Sequence, residues 1–140
     1  MSGGPELRIK KPEYDKIIAH AYSCLPNEAC GIIAGSADGR RRCVGAVYAL
    51  VNTDASGEHF SIDPGEHLKA VRDARSRGLS PIGNFHSHPS TPARPSEEDI
   101  RLAYDRSASY LIVSLAGKEP VLRSFRIENG AASPEEIVIE

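Results

Sequence analysis

Apolar positions along the chain recur at helical spacing in one early stretch and gather into short unbroken runs elsewhere. Ile17, Ile18, Ala21, Tyr22 and Leu25 share one face of a helix. Pro12 suits the first turn of that helix and Pro26 ends it. "LRI" at 7–9 predicts a preceding strand, with residues 1–6 as a loose leading segment. "ACGIIAG" at 29–35 is too short for a helix and reads as a buried strand closed by glycine. After the turn signal "DGR" at 38–40, "CVGAVYALVN" at 43–52 reads as a long strand. Asn27, Glu28 and Ala29 therefore fall at a helix-to-strand junction.

The second half alternates in the same way. "HFSID" at 59–63 predicts a strand. Asp63, Pro64 and Glu66 then supply a cap, a first-turn proline and a third-position glutamate, for a helix running to Arg77 and stopped by Gly78. "PIGNFH" at 81–86 reads as a strand, and Ser96 to about Asp105 as a helix. "YLIVSL" and "VLRSFRI" read as strands joined through "GKEP", and "EEIVI" as a final edge strand. The expected fold class is mixed α/β. Residues 1–140 would form a single domain, with a central, mostly antiparallel sheet flanked by helices.

Charge excludes some functions. The 17 basic and 19 acidic residues are well mixed and give a net charge of −2, so no basic face points to nucleic acid or an anionic membrane. Three cysteines at irregular spacing, Cys24, Cys30 and Cys43, suit a reducing compartment better than a disulfide framework. "MSGGPELRIKK" has no apolar signal core, and the longest apolar runs are too short to span a bilayer. A cytoplasmic protein is expected.

The chemistry gathers in "NFHSHPSTPARPSEED" at 84–99. Alternate residues of a strand point to one face, so His86 and His88 at a strand end can aim two imidazoles at one point. "PSTPARP" contains three prolines and restricts the return path. Asp99, in the first turn of the next helix, can lean back toward the histidines. Two imidazoles and a carboxylate make the three-ligand set that catalytic zinc uses, with a fourth position for water. Ser96 and Asp99 also make an ordinary helix start, a hydroxyl cap and an acid near the positive end of the helix. The two roles are compatible, because a capping hydroxyl has spare hydrogen-bonding capacity.

A zinc hydrolase also needs a base. Glu28 is a candidate because it precedes a buried strand with no local cationic partner; Glu58, Glu97 and Glu98 compete, and spacing does not separate them. Cys30 with a histidine offers a nucleophile–base pair, but a cysteine within an apolar strand is more often core. A zinc nucleobase deaminase would need a P-C-x-x-C element, which the three cysteines do not supply.

A glutamate upstream of H-S-H-P, followed by S-x-x-D, resembles the JAMM motif of MPN-domain zinc metalloproteases. "NEACGIIAG" is similar to that family's first motif and "GNFHSHP" to its second, and the likeness covers nearly the whole chain. It implies the MPN fold, which is cytidine-deaminase-like, and zinc ligands His86, His88 and Asp99. It implies Glu28 as general acid/base and Ser96 as a donor to the tetrahedral oxyanion, with Ser87 as the small residue between the ligands. "PNEACGIIAG" and "LRSFRI" are most similar to small bacterial members of the CysO-cysteine-peptidase type. Those act on ubiquitin-like sulfur-carrier proteins and cut after the carrier's C-terminal diglycine. The chain departs from the larger eukaryotic deubiquitinases, having no room for their long insertions. The alternatives are a non-catalytic MPN scaffold, whose ligand positions are typically empty, and a deubiquitinase-like isopeptidase acting on protein conjugates.

Overall fold

A computed structural model describes residues 4–140. The described elements run β1 (Glu6–Ile9), α1 (Lys11–Ser23), β2 (Cys30–Asp38), β3 (Arg41–Leu50), α2 (Pro64–Ser76), β4 (Ser80–His88), α3 (Glu97–Arg101), β5 (Ser109–Ser114), β6 (Val121–Glu128) and β7 (Ala131–Ile139). The strands close into a barrel in the spatial order β1-β3-β2-β4-β5-β6-β7, and β7 returns to pair with β1. Pairings β1–β3, β1–β7 and β4–β5 are parallel; β2–β3, β2–β4, β5–β6 and β6–β7 are antiparallel.

Leu7, Ile9, Ile33, Val44, Phe85, Leu111 and Val113 form one core, which Ile17 and Ala21 of α1 join. These two residues come from the apolar face expected of that helix. Asp63 caps α2 by accepting the Glu66 N–H at 3.1 Å, and Gly78 follows the helix at φ +76°. Glycine takes this left-handed conformation without strain. Parallel strands need a long crossover, and the segment 89–108 between β4 and β5 is that crossover. It lies over Ile112, Phe125 and Ile127 through Ala93, Ile100 and Ala103. Among the described residues no helix is long and apolar enough to cross a membrane.

Four expectations are corrected. "EEIVI" is not an edge strand. It belongs to β7, which is paired on both sides and seals the barrel. "HFSID" is irregular, because Ser61 turns back on the end of β3: its N–H is donated to Asn52 Oδ1 (3.1 Å) and its carbonyl accepts the Thr53 N–H (2.9 Å). The helix expected from Ser96 to Asp105 stops at Arg101. Asp105 Oδ1 accepts the Ser107 N–H and Oγ–H, a local turn that competes with helix continuation. The loose segment expected at 1–6 lies partly outside the described residues, and Glu6 already stands in β1, donating its N–H to Arg40 O at 2.9 Å.

Closure is secured by a buried polar cluster. Glu135 Oε1 accepts the hydroxyls of Ser109 on β5 and Ser124 on β6, each at 2.7 Å. Its Oε2 accepts Arg126 Nε at 2.8 Å. Arg42 Nη1 donates to Ser109 Oγ (3.1 Å) and Ile82 O (2.9 Å), which draws β3 and β4 into the same cluster. Removing one partner of a buried, hydrogen-bonded charge pair leaves the other uncompensated. Glu135→Ala is therefore expected to destabilise the fold by about 3–5 kcal/mol in urea unfolding. A loss below about 1 kcal/mol would mean that closure does not depend on this carboxylate.

Candidate metal centre

Along β4, Phe85 joins the core while His86 and His88 share the opposite face, as strand alternation requires. Both histidines are buried. The crossover that leaves His88 carries Asp99 back over them. Nε2 of His86 and Nε2 of His88 stand 3.2 Å apart, and each is 3.1 Å from Asp99 Oδ2. Their ligating atoms all lie within 4.8 Å of one another.

The arrangement calls for positive charge. His88 Nδ1 is 2.9 Å from Pro92 O, so Nδ1 carries the hydrogen. The neutral ring then presents a lone pair at Nε2 to a carboxylate oxygen and a second imidazole nitrogen. Three electron-pair donors converging on one point are stable only around a cation or a proton. With a proton there, burial works against His88, but the Asp99 carboxylate and the Pro92 carbonyl outweigh it and raise its basicity. Burial likewise opposes charge on Asp99. Hydrogen bonds from His86 and His88, then the Ser96 N–H, outweigh it and hold that carboxyl well below the usual carboxylate range. Two imidazoles and one carboxylate fit a divalent cation with mixed nitrogen and oxygen preference. His86 is held from the side by Phe60, whose ring stacks on it at 4.8 Å and 20°, and His86 Nδ1 is buried without a partner among the described residues.

Asp99 has a second attachment. Its N–H is donated to Ser96 Oγ at 3.0 Å, and its Oδ2 accepts the Ser96 N–H at 2.9 Å, a reciprocal capping box. Ser96 is exposed, and its hydroxyl accepts here, which leaves its own hydrogen free to donate. Glu28 stands just before β2. Its neighbour Ala29 exchanges two hydrogen bonds with Ser87 between the histidines: Ala29 N–H to Ser87 Oγ at 2.7 Å, and Ser87 N–H to Ala29 O at 3.0 Å. Glu28 is only 5% exposed, and burial pushes its carboxyl up to about 7, with His88 pulling the other way. Its competitors differ: Glu58 and Glu97 are exposed, and Glu98 pairs with His59 and Arg101. The Cys30 thiol is buried and pushed up to about 12 by that burial, so it is no ready nucleophile.

A groove of about 630 Å³ includes His86 and Asp99 in its lining, which is otherwise chiefly apolar, with Phe60, Ile62, Leu102 and Tyr110 among its walls. The sequence reading missed its wall at Phe60 and Ile62, having placed both in a strand. The run of Asn, Thr, Asp, Ser and Gly at 52–57 is the signal for a loop there.

The barrel and the donor set together define a single-chain mixed α/β fold built around a candidate metal centre. Residues 10–128 match the family of prokaryotic homologues of the JAB domain, and the chain belongs to that family. It is 34% identical over 136 residues to the CysO-cysteine peptidase of Mycobacterium tuberculosis, covering 94% of this chain and 89% of that one. It is 35% identical over 128 residues to a Thermus thermophilus protein named as a probable TtuB-protein conjugate cleaving protease, covering 91% and 80%. The solution structure of a Desulfitobacterium hafniense protein is similar at a TM-score of 0.89 and 52% identity, covering 96% and 92%.

Ser87→Ala leaves the buried Ala29 N–H without its acceptor. The expected cost is about 1–3 kcal/mol in urea unfolding, the desolvation penalty of an orphaned amide. Unchanged stability would show that the segment carrying Glu28 is held by other contacts.

Proposed function

We propose that the chain is a zinc metallopeptidase that hydrolyses the peptide or isopeptide bond after the C-terminal diglycine of a ubiquitin-like sulfur-carrier protein. The observation that carries the reading is the convergence of His86, His88 and Asp99 beside a buried glutamate poised near neutrality. The relatives' names, a CysO-cysteine peptidase and a probable TtuB-protein conjugate cleaving protease, support the substrate class. The free thiols suit the cytoplasm.

His86, His88 and Asp99 would hold the zinc. When bound, zinc acts as a Lewis acid that acidifies water and polarises a carbonyl. Glu28 takes a proton from the attacking water and returns it to the leaving amine as the carbon–nitrogen bond breaks, so water is divided between a new carboxylate and a free amine. A carboxyl shifted toward neutrality can both accept and return that proton near physiological pH. The Ser96 hydroxyl donates to the scissile carbonyl oxygen as charge develops there. The groove receives the tail ahead of the cut. Glycine, lacking Cβ, lets a backbone lie close against the site.

Protein purified without added metal is expected to contain about one zinc per chain by elemental analysis, the stoichiometry of a single three-ligand site. His88→Ala and Asp99→Ala should lose it. Substoichiometric zinc that dialysis does not restore would sink the reading.

Glu28→Gln should keep zinc and fold, and lose roughly 10²–10⁴-fold in turnover on a diglycine-tailed carrier bearing a C-terminal extension. Cleavage is measured by the mass of the products. A Glu28→Gln protein that cleaves at the wild-type rate would overturn the assignment.

A further inference from the structure

One loop touches Glu28, a metal-ligand ring and the helix that carries Asp99. The segment 52–62 leaves β3 and closes on itself, with the Thr53 N–H donated to Ser61 O at 2.9 Å. Phe60 lies on the His86 ring. His59 Nδ1 reaches Glu98 Oε1 on α3 at 2.6 Å. At its other end the loop holds the Glu28 backbone: the Glu28 N–H is donated to Ser56 O at 2.7 Å.

A single side chain organises these contacts. Asn52 Nδ2 donates to Glu28 O at 3.1 Å and to His59 O at 2.9 Å, with a longer contact to Ser56 O at 3.5 Å. Asn52 Oδ1 accepts the N–H groups of Asp54 at 3.0 Å and Ser61 at 3.1 Å. A primary amide has both donors and acceptor, and all of them are used here. The acceptor half shapes the loop. The donor half ties that loop to Glu28 and to the residue beside Phe60.

We propose that Asn52 is a positioning residue for Glu28: its amide fixes the backbone from which the proton-transferring carboxylate projects, and couples it to the loop that walls the groove. This rests on the peptidase reading above. Asn52 touches no reacting atom and acts through Glu28, whose misplacement by about 1 Å can cost on the order of 10²-fold.

The test compares Asn52→Ala, Asn52→Asp, Glu28→Gln and the double variant Asn52→Ala/Glu28→Gln, all as zinc-loaded full chains. Asn52→Ala is expected to keep zinc, to lose about tenfold or more in kcat on the extended carrier, and to hold KM within about threefold. In the Glu28→Gln background the same change should cost less than about twofold, because its route to the chemistry is already gone. The same factor in both backgrounds, an effect confined to KM, or loss of zinc would overturn the proposal.

Hydrogen exchange supplies a readout that needs no substrate. The Glu28 amide should exchange about tenfold faster in Asn52→Ala and Asn52→Asp, while the Ala29 amide, held by Ser87, stays protected. Asn52→Asp keeps the acceptor half and with it the Ser61 amide, but turns the donor half into an oxygen that repels Glu28 O and His59 O, so it breaks the tie to Glu28 while sparing the loop-shaping half even if the alanine variant unfolds. Unchanged Glu28 exchange in the aspartate variant would refute the anchoring. If the wild type cleaves no extended carrier, the peptidase reading fails by itself and the exchange measurement still decides the anchoring.

Discussion

The site depends on one strand register, Cys30 of β2 opposite His86 of β4. That pairing runs back past the first residue of β2 through the two hydrogen bonds between Ala29 and Ser87. It brings the residue before Ala29, the buried Glu28, to the end of β4 where His88 projects. A slip by one residue would turn both histidines into the core and Phe85 out of it. Phe85 therefore guards the register as much as it fills space. Gly31 lies across from it and has to be glycine: a Cβ there would run into the Phe85 ring and the Tyr48 carbonyl. The geometry of the candidate metal centre is thus inherited from apolar packing on the far side of the same strand.

Within that frame, two carboxylates are treated in opposite ways. Asp99 is half-buried but faces two imidazoles and accepts a backbone N–H, and its carboxyl is held well below the usual carboxylate range. For Glu28 burial is the largest influence, and its carboxyl rises toward neutrality. Under the proposed function, acids driven apart in this way would divide the labour, Asp99 holding charge and Glu28 moving a proton. The division follows from where each backbone ends. Asp99 sits at a helix N-terminus, where unpaired N–H groups collect, and Glu28 at a strand start, where the backbone groups are already paired.

Much of the site was legible because it is local. Strand alternation put His86 and His88 on one face, and the capping pattern put Asp99 three residues after Ser96. Asp63 and Gly78 bounded α2 for the same reason: caps and left-handed turns are decided within a few residues. What the sequence hid was long-range. Whether "EEIVI" is an edge or a seam depends on β1, more than a hundred residues away, and nothing local announces it. "HFSID" has strand composition, yet its Ser61 answers to the amide of Asn52. A side chain that substitutes for a strand partner leaves no periodic trace. The helix after Ser96 ended early because Asp105 found its hydrogen bonds in a turn.

Barrel closure also constrains how a polypeptide tail can be held. β4, which carries the histidines, is paired on both sides, by β2 and by β5. An incoming strand cannot add to it, which excludes strand addition at β4, one of the recurring ways a protein grips an extended peptide. Under the proposed function, a tail that reaches the candidate metal centre would lie in the groove over Ile32, Asn84 and Tyr110, between the loop at Phe60 and Ile62 and the segment at Leu102 and Tyr104. Both walls belong to connections, one leaving β3 and the other crossing from β4 to β5, and each also holds part of the centre. The stacked Phe60 belongs to the first and Asp99 to the second. Under the proposed function, a tail seated between these walls would therefore bear on His86 through Phe60, and on Asp99 directly.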